Sequence, residues 1–213
     1  FLVIWGVVIF KKEIEVLINR FMPKLQFVIK LIGIVERIVS PVEVILFILA
    51  AVLGAYTGFL LSALISYPML NNPVLPALFL ASGTSSGIAA TFLFILIAGK
   101  LRGDSHESHF IHKFEVPIMV TELGLLVCFF VGLYFGGGQK VVALENALSG
   151  FWGAVFWIGV FFIGILIPLV ANMFVSDRWK FNKNFIILVS IFDLIGVLCL
   201  RYFILYAGQM TVA

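Results

Sequence analysis

The sequence predicts an all-α protein, a polytopic bundle of transmembrane helices with five complete spans. Hydrophobic residues make up 62% of the 213 residues and charged residues only 12%, against roughly 45–50% and 25% in soluble domains. Mean hydropathy is +1.18, and a water-soluble fold of this size could not bury so much apolar surface. The apolar residues also form runs of helix length, without the alternation that is typical of a membrane β-barrel.

The first forty residues divide into two segments. Residues 1–10 are apolar but too few to cross the membrane, since about 30 Å of hydrocarbon takes about 20 residues. We expect them to be the tail of a truncated spanning helix, and the chain to be a fragment without its first helices. Residues 11–40 have apolar side chains at helical spacing, which predicts cytoplasmic amphipathic helices at the membrane surface. For 30–40, an inward extension of the next span is the alternative.

The remaining residues, 41–213, are predicted to form the five-helix bundle. Asn72-Pro73 has the residue types of a helix start, a capping side chain followed by proline. Pro68 is expected to close the first span, and the glycines at 136–138 the third. The predicted spans are 41–67, 74–99, 116–136, 150–174 and 184–207.

The distribution of Lys and Arg predicts the orientation. Segments 11–40, 100–115 and 175–183 carry six, three and three of them, whereas 68–73 carries none and 137–149 carries one. Because basic loops stay in the cytoplasm, we expect these three segments inside and the C-terminus outside. The expected location is the inner (cytoplasmic) membrane of a prokaryote.

Two pairs of glycines stand four residues apart, Gly54 with Gly58 and Gly83 with Gly87. Such pairs let helix backbones approach closely in a membrane. Close helix packing is one interpretation of both pairs, and the lining of a ligand groove is the alternative.

The residues exclude several kinds of chemistry. His106, His109 and His112 lie outside the spans, so the spans supply no pair of haem ligands. Their spacing of three residues could hold a metal ion if the segment were helical, but a solvated loop is the preferred interpretation. Cys128 and Cys199 are too few for an iron–sulfur cluster and are expected to be buried packing residues. The sequence therefore predicts no haem, iron–sulfur or metal site in this chain. A net charge of +3 that is spread over short loops argues against nucleic-acid binding.

Four polar residues within the spans are candidates for function, because such residues are costly in a bilayer. The phenol of Tyr56 can donate a hydrogen bond from an apolar wall, which suits a quinone carbonyl; an interfacial tyrosine is the alternative. Glu122, Asp193 and Arg201 are candidates for proton transfer; a structural hydrogen bond or ion pair is the alternative for Glu122, and extension of the side chain to the membrane surface is the alternative for Arg201. Asp193 and Arg201 are eight residues apart and cannot pair along one helix face, so each needs a partner elsewhere or water.

Two blocks of sequence resemble the membrane subunits of polysulfide reductase, the NrfD-like family. They are LGAYTGFLL at 53–61 and NNPVLPALFLASG at 71–83. The end of the last span, around Arg201, is also similar, and Glu122 stands where the family commonly has a glutamate. Met69-Leu70 is a departure, since an aromatic residue is common there.

The resemblance implies an eight-helix or larger anchor without haem, of which this chain would hold the last five spans. It implies a quinone, menaquinone or ubiquinone, bound near the outer face with Tyr56 and, more weakly, Ser82 and Gly83. It also implies an iron–sulfur partner subunit and a catalytic subunit, possibly with molybdopterin.

The predicted function is therefore that of a quinone-binding membrane anchor in a respiratory oxidoreductase complex, with no catalytic residue of its own. Proton transfer through Glu122, Asp193 and Arg201 would accompany quinone chemistry. A secondary transporter or proton conduit without a redox role is the alternative, and an anchor with a vestigial quinone pocket is a third possibility.

Overall fold

The computed structural model describes residues 39–97, 106–174 and 183–211, with the backbone alone for 39–40, 97 and 106–113. These residues form helices and no strands. Five helices are long and apolar enough to cross a membrane, which confirms the predicted fold class. The predicted tail at 1–10 and nearly all of the amphipathic segment at 11–40 lie outside the described residues. The elements are α1 (Val39–Ser62), α2 (Leu75–Ile97), α3 (His106–Phe135), α4 (Gln139–Leu148), α5 (Gly150–Ala154), a π-helical segment (Val155–Leu166), α6 (Ile167–Phe174) and α7 (Lys183–Ala207).

Contacts divide the chain after Leu53, within α1. Everything described below belongs to the second unit, Gly54–Ala213. In this unit α7 packs against α2, the π-helical segment and α6, while α3 packs against α2, α4 and α6. We call the end where α2 and α5 begin, and where α4 lies, the α4 end. The opposite end, where Phe114, Phe174 and Lys183 lie, is the Phe114 end.

Two helix boundaries differ from the prediction. Helix α1 ends at Ser62, before Pro68, because the chain folds into turns that bring Met69 and Leu70 fully into the core. Helix α3 begins at His106, so the segment expected to be a loop is helical from that residue onward. Pro117 lies within α3, which continues on both sides of it.

The turn at the α4 end is fixed by Asn72. Its side chain is buried, its Oδ1 accepts the N–H of Val74 at 3.0 Å, and its Nδ2 donates to the carbonyl of Phe129 at 3.1 Å. The first of these bonds is the predicted capping interaction before α2. The second ties the turn to α3. This turn therefore holds Met69 and Leu70 in the core. These are the two residues at which the sequence departs from the family that it resembles.

Replacing Asn72 by alanine should destabilise the protein by about 1–3 kcal/mol, because the N–H of Val74 loses its acceptor and the buried hydrogen bond that ties the turn to α3 is lost. The measurement is the thermal unfolding midpoint of the purified protein in detergent. Asn71→Ala is the matched control, since Asn71 bonds through its backbone: its N–H donates to the carbonyl of Tyr67 at 3.0 Å, and its carbonyl accepts from Lys140 Nζ at 3.1 Å. Equal midpoints for the two variants would contradict the role of Asn72.

The two glycine pairs have different surroundings. A Cβ on Gly58 would lie 2.5 Å from the Cα of Pro76, so this glycine permits close packing of α1 on the start of α2. A Cβ on Gly87 would meet nothing within 4 Å, and one on Gly83 would meet only the guanidinium of Arg201, at 3.7 Å. Helix packing therefore explains the first pair, and it does not explain the second.

The closest helix approach joins the π-helical segment to α7. A Cβ on Gly164 would lie 2.5 Å from the Cα of Gly196, and a Cβ on Gly159 would lie 2.9 Å from Cys199 Sγ. Gly159 and Gly164 are five residues apart and share a face because π-helical bonds join residues i and i+5. Cys199 thus packs between helices as predicted, whereas the prediction for Cys128 is wrong: its side chain is exposed on α3. Burial is set by the partner that covers a helix face, which the position of a residue along the helix does not reveal.

Candidate functional site

The centre of the bundle contains a hydrogen bond between two helices. Ser85 Oγ on α2 lies 3.0 Å from Asp193 Oδ1 and 3.2 Å from Oδ2 on α7, and both residues are buried. The serine hydroxyl donates and the carboxylate accepts. Asp193 lies ten residues from the start of α7, about 15 Å along the axis at 1.5 Å per residue. This contact confirms that Asp193 finds its partner on another helix.

Glu122 faces the same region from α3. Its side chain is 3% exposed, and it is close enough to Asp193 and to Arg201 for their charges to interact. The three residues predicted for proton transfer are therefore brought together from two helices, α3 and α7. Interactions between charges are strong here because little water screens them.

Arg201 lies toward the α4 end of the same region. Its guanidinium stacks on the ring of Phe79 with 4.9 Å between Cζ and the ring centroid. A cation over an aromatic face is a favourable contact in an apolar environment. Gly83 supplies the space beside the guanidinium, as its missing Cβ would lie 3.7 Å from Arg201 Nη2. Arg201 is therefore held within the bundle by α2.

Sequence reasoning missed the polar residues nearest the Phe114 end. Glu115 on α3 and Asn172 on α6 are buried, and Glu115 is within electrostatic range of Asp193. Ser190, one turn before Asp193 on α7, is also buried. We call the set that extends from this end to Arg201 the polar column: Glu115, Asn172, Glu122, Ser190, Asp193, Ser85 and Arg201. In the sequence, Glu115 and Asn172 stand at the ends of apolar runs. Polar residues at such positions are usually exposed, so the sequence did not indicate that these two are buried.

The three residues expected to bind quinone have different environments. Tyr56 is 52% exposed. It lies two residues from both Gly54 and Gly58, about 200° around the helix from the face that packs on α2. Ser82 is fully buried, and its hydroxyl donates to the carbonyl of Phe79 at 3.2 Å in its own helix. Gly83 borders Arg201. The phenol of Tyr56 thus points away from α2, which carries the other two residues.

Within 39–97, 106–174 and 183–211, no group of three or more His, Cys, Asp and Glu side chains is arranged to hold a metal ion. The described acidic residues of the polar column are spread along the bundle axis rather than gathered around one point, since Glu115 and Glu122 alone are seven residues, or about 10 Å, apart.

Comparison with known proteins identifies the family of this bundle. The family model described as "Polysulphide reductase, NrfD" matches residues 1–213. The chain belongs to this family. It is 90% identical over 213 residues to "Protein NrfD homolog" of Haemophilus influenzae, and 44% identical over 213 residues to "Protein NrfD" of Escherichia coli. No solved structure matches the chain.

A third relative is named as one polypeptide of an enzyme. The sequence is 39% identical over 187 residues, 87% of its length, to the C polypeptide of polysulfide reductase from Wolinella succinogenes, of which it covers 59%. The whole sequence matches the other two relatives and covers 66% of each. The protein described here thus spans less than two thirds of the length of these relatives. It is a multi-pass membrane protein, and four of its five described spans carry the polar column.

Proposed function

We propose that this chain forms part of a quinone-binding membrane anchor of an oxidoreductase complex. The observation that carries the proposal is the polar column, in which Glu122, Asp193 and Arg201 gather inside a bundle of apolar helices. Ionisable residues within a membrane commonly mark proton or substrate pathways. Membership of the polysulphide reductase family supports the redox role.

Quinone chemistry would involve both the candidate quinone-binding tyrosine and the candidate proton-transfer residues. Interconversion of a quinone and a quinol transfers two electrons and two protons. Tyr56 presents its phenol on a face that α2 does not cover, where it would donate a hydrogen bond to a quinone carbonyl. Glu122 and Asp193 would bind and release the protons, and Arg201 would stabilise their charged forms. The quinone would be menaquinone or ubiquinone.

The electrons would be exchanged with an iron–sulfur partner subunit, which serves a catalytic subunit, possibly with molybdopterin. The name of the Wolinella succinogenes relative, one polypeptide of polysulfide reductase, supports the existence of such partners. The complex would lie in the inner membrane of a prokaryote, with the α4 end and the C-terminus outside. Under this proposal, 41–213 is the bundle.

Replacing Tyr56 by phenylalanine tests the quinone role. Loss of one hydrogen bond to the reacting carbonyl, about 1–1.5 kcal/mol, should lower quinone-coupled turnover about tenfold. The measurement is turnover of the intact complex with quinol or quinone, at equal amounts of assembled complex. Tyr134→Phe is the matched control, because Tyr134 is also an exposed tyrosine on a span, at 63% exposure. Wild-type turnover in Tyr56→Phe would exclude Tyr56 from the mechanism.

The polar column alone is also compatible with a second function, that of a proton conduit or secondary transporter without a redox role. Purification under mild conditions separates the two. The anchor is expected to copurify with iron-containing polypeptides, whereas proton uptake by liposomes that contain only the full-length protein would favour the conduit.

A further inference from the structure

Asn172 carries a buried side-chain amide. Its side chain is 5% exposed and lies on α6, two residues before the Phe114 end of its span. Neither Nδ2 nor Oδ1 has a hydrogen-bond partner among the residues that the structure describes. Leaving such groups unsatisfied destabilises the fold, and buried polar groups in folded proteins nearly always have partners.

The donor and acceptor atoms of the amide indicate which kind of ligand would bind to it. Nδ2 can only donate and Oδ1 can only accept. A cation would satisfy the oxygen alone, and an anion would satisfy the nitrogen alone. Water both donates and accepts, so it is the small ligand that matches both ends of this side chain.

We propose that Asn172 is the anchor of an ordered-water site inside the bundle at its Phe114 end. Helix α6 packs against α3 and α7, the helices that carry Glu115 and Asp193. The water would therefore hydrate the end of the polar column, where protons enter or leave. The site itself follows from the unsatisfied amide, and its part in proton movement rests on the proposed function.

The direct test is a cryo-EM map of the intact complex at a resolution that shows ordered water. We expect density within about 2.7–3.2 Å of both Nδ2 and Oδ1 of Asn172. A dry amide, or an amide bonded to protein atoms at both ends, would overturn the proposal. This readout does not depend on turnover, so it stands apart from any result on Tyr56.

Variants then test what the water does. Asn172→Leu keeps the approximate volume but binds no water, and it is expected to remove the density and to slow proton uptake several-fold in liposomes that contain the complex. Ile165→Leu is the matched control, since Ile165 is apolar and equally buried at 5%; it should change neither. Unchanged uptake in Asn172→Leu would overturn the role in proton movement while leaving the water site intact. Should Asn172→Leu fail to assemble, Asn172→Ser, which keeps a polar group, is expected to retain both density and uptake, and loss of the density there would overturn the site.

Discussion

Replacing Gly196 by alanine is expected to destabilise the folded bundle by about 3 kcal/mol or more, the upper range for an overpacked core. A Cβ at this position would collide with the backbone of Gly164 in the π-helical segment. A backbone cannot rotate out of the way as a flexible side chain can, so one of the two helices has to move. Because α7 packs against α2, the π-helical segment and α6, the displacement would spread through the second unit.

The measurement is the thermal unfolding midpoint in detergent together with the yield of monodisperse protein. Gly87→Ala is the matched control, because it makes the same substitution in a spanning helix at a position where the Cβ meets nothing within 4 Å. The control should be neutral or more stable by roughly 0.5–1 kcal/mol, the usual gain of alanine over glycine in a helix. Equal midpoints for the two variants would show that the contact between Gly164 and Gly196 does not limit stability.

Replacing Glu122 by glutamine is expected to slow proton-coupled turnover by about 10²-fold or more, within the range for the loss of a proton-transferring group. Glutamine keeps the size and the hydrogen-bonding oxygen of the side chain but cannot bind and release a proton. The variant should assemble normally, since a neutral group is no harder to bury than a carboxylate. The measurement is quinone-coupled turnover of the intact complex, with internal pH followed in liposomes.

Glu145→Gln is the control for Glu122→Gln. Glu145 is exposed on α4, so its substitution should leave turnover unchanged. A purely structural role for Glu122 predicts a different pattern: Glu122→Gln would retain turnover, and Glu122→Leu would lower stability and turnover together. Wild-type proton uptake in Glu122→Gln would remove Glu122 from the pathway.

Hydropathy alone predicted the five spans, because each span must bury its backbone and side chains in hydrocarbon over a set length. The less accurate predictions concern ends and faces. Helix α1 ends at Ser62 rather than near 67, since the buried contacts of Met69 and Leu70 outweigh continuation of the helix. Cys128 is exposed because no described helix covers its face of α3.

The candidate site could be predicted only in part. Glu122, Asp193 and Arg201 were identifiable because ionisable residues within apolar runs are rare. Their proximity was not predictable, because it depends on how α3 and α7 face each other. Ser85 is one of several small residues in α2, and the sequence of the helix did not indicate that its hydroxyl would contact Asp193. The role of Gly164 was obscured because a spacing of five residues matches a π-helix, which the α-helical period does not anticipate.

The hydrogen bond from Ser85 to Asp193 has a thermodynamic consequence. It joins α2 to α7 through a group that can change its protonation state. When this carboxyl gains or loses a proton, the free energy of the interaction between the two helices changes. By reciprocity, any force that moves one helix against the other alters the carboxyl's affinity for protons by the same free energy. Relative movement of the two helices and protonation of the Asp193 carboxyl are thus coupled in a single equilibrium.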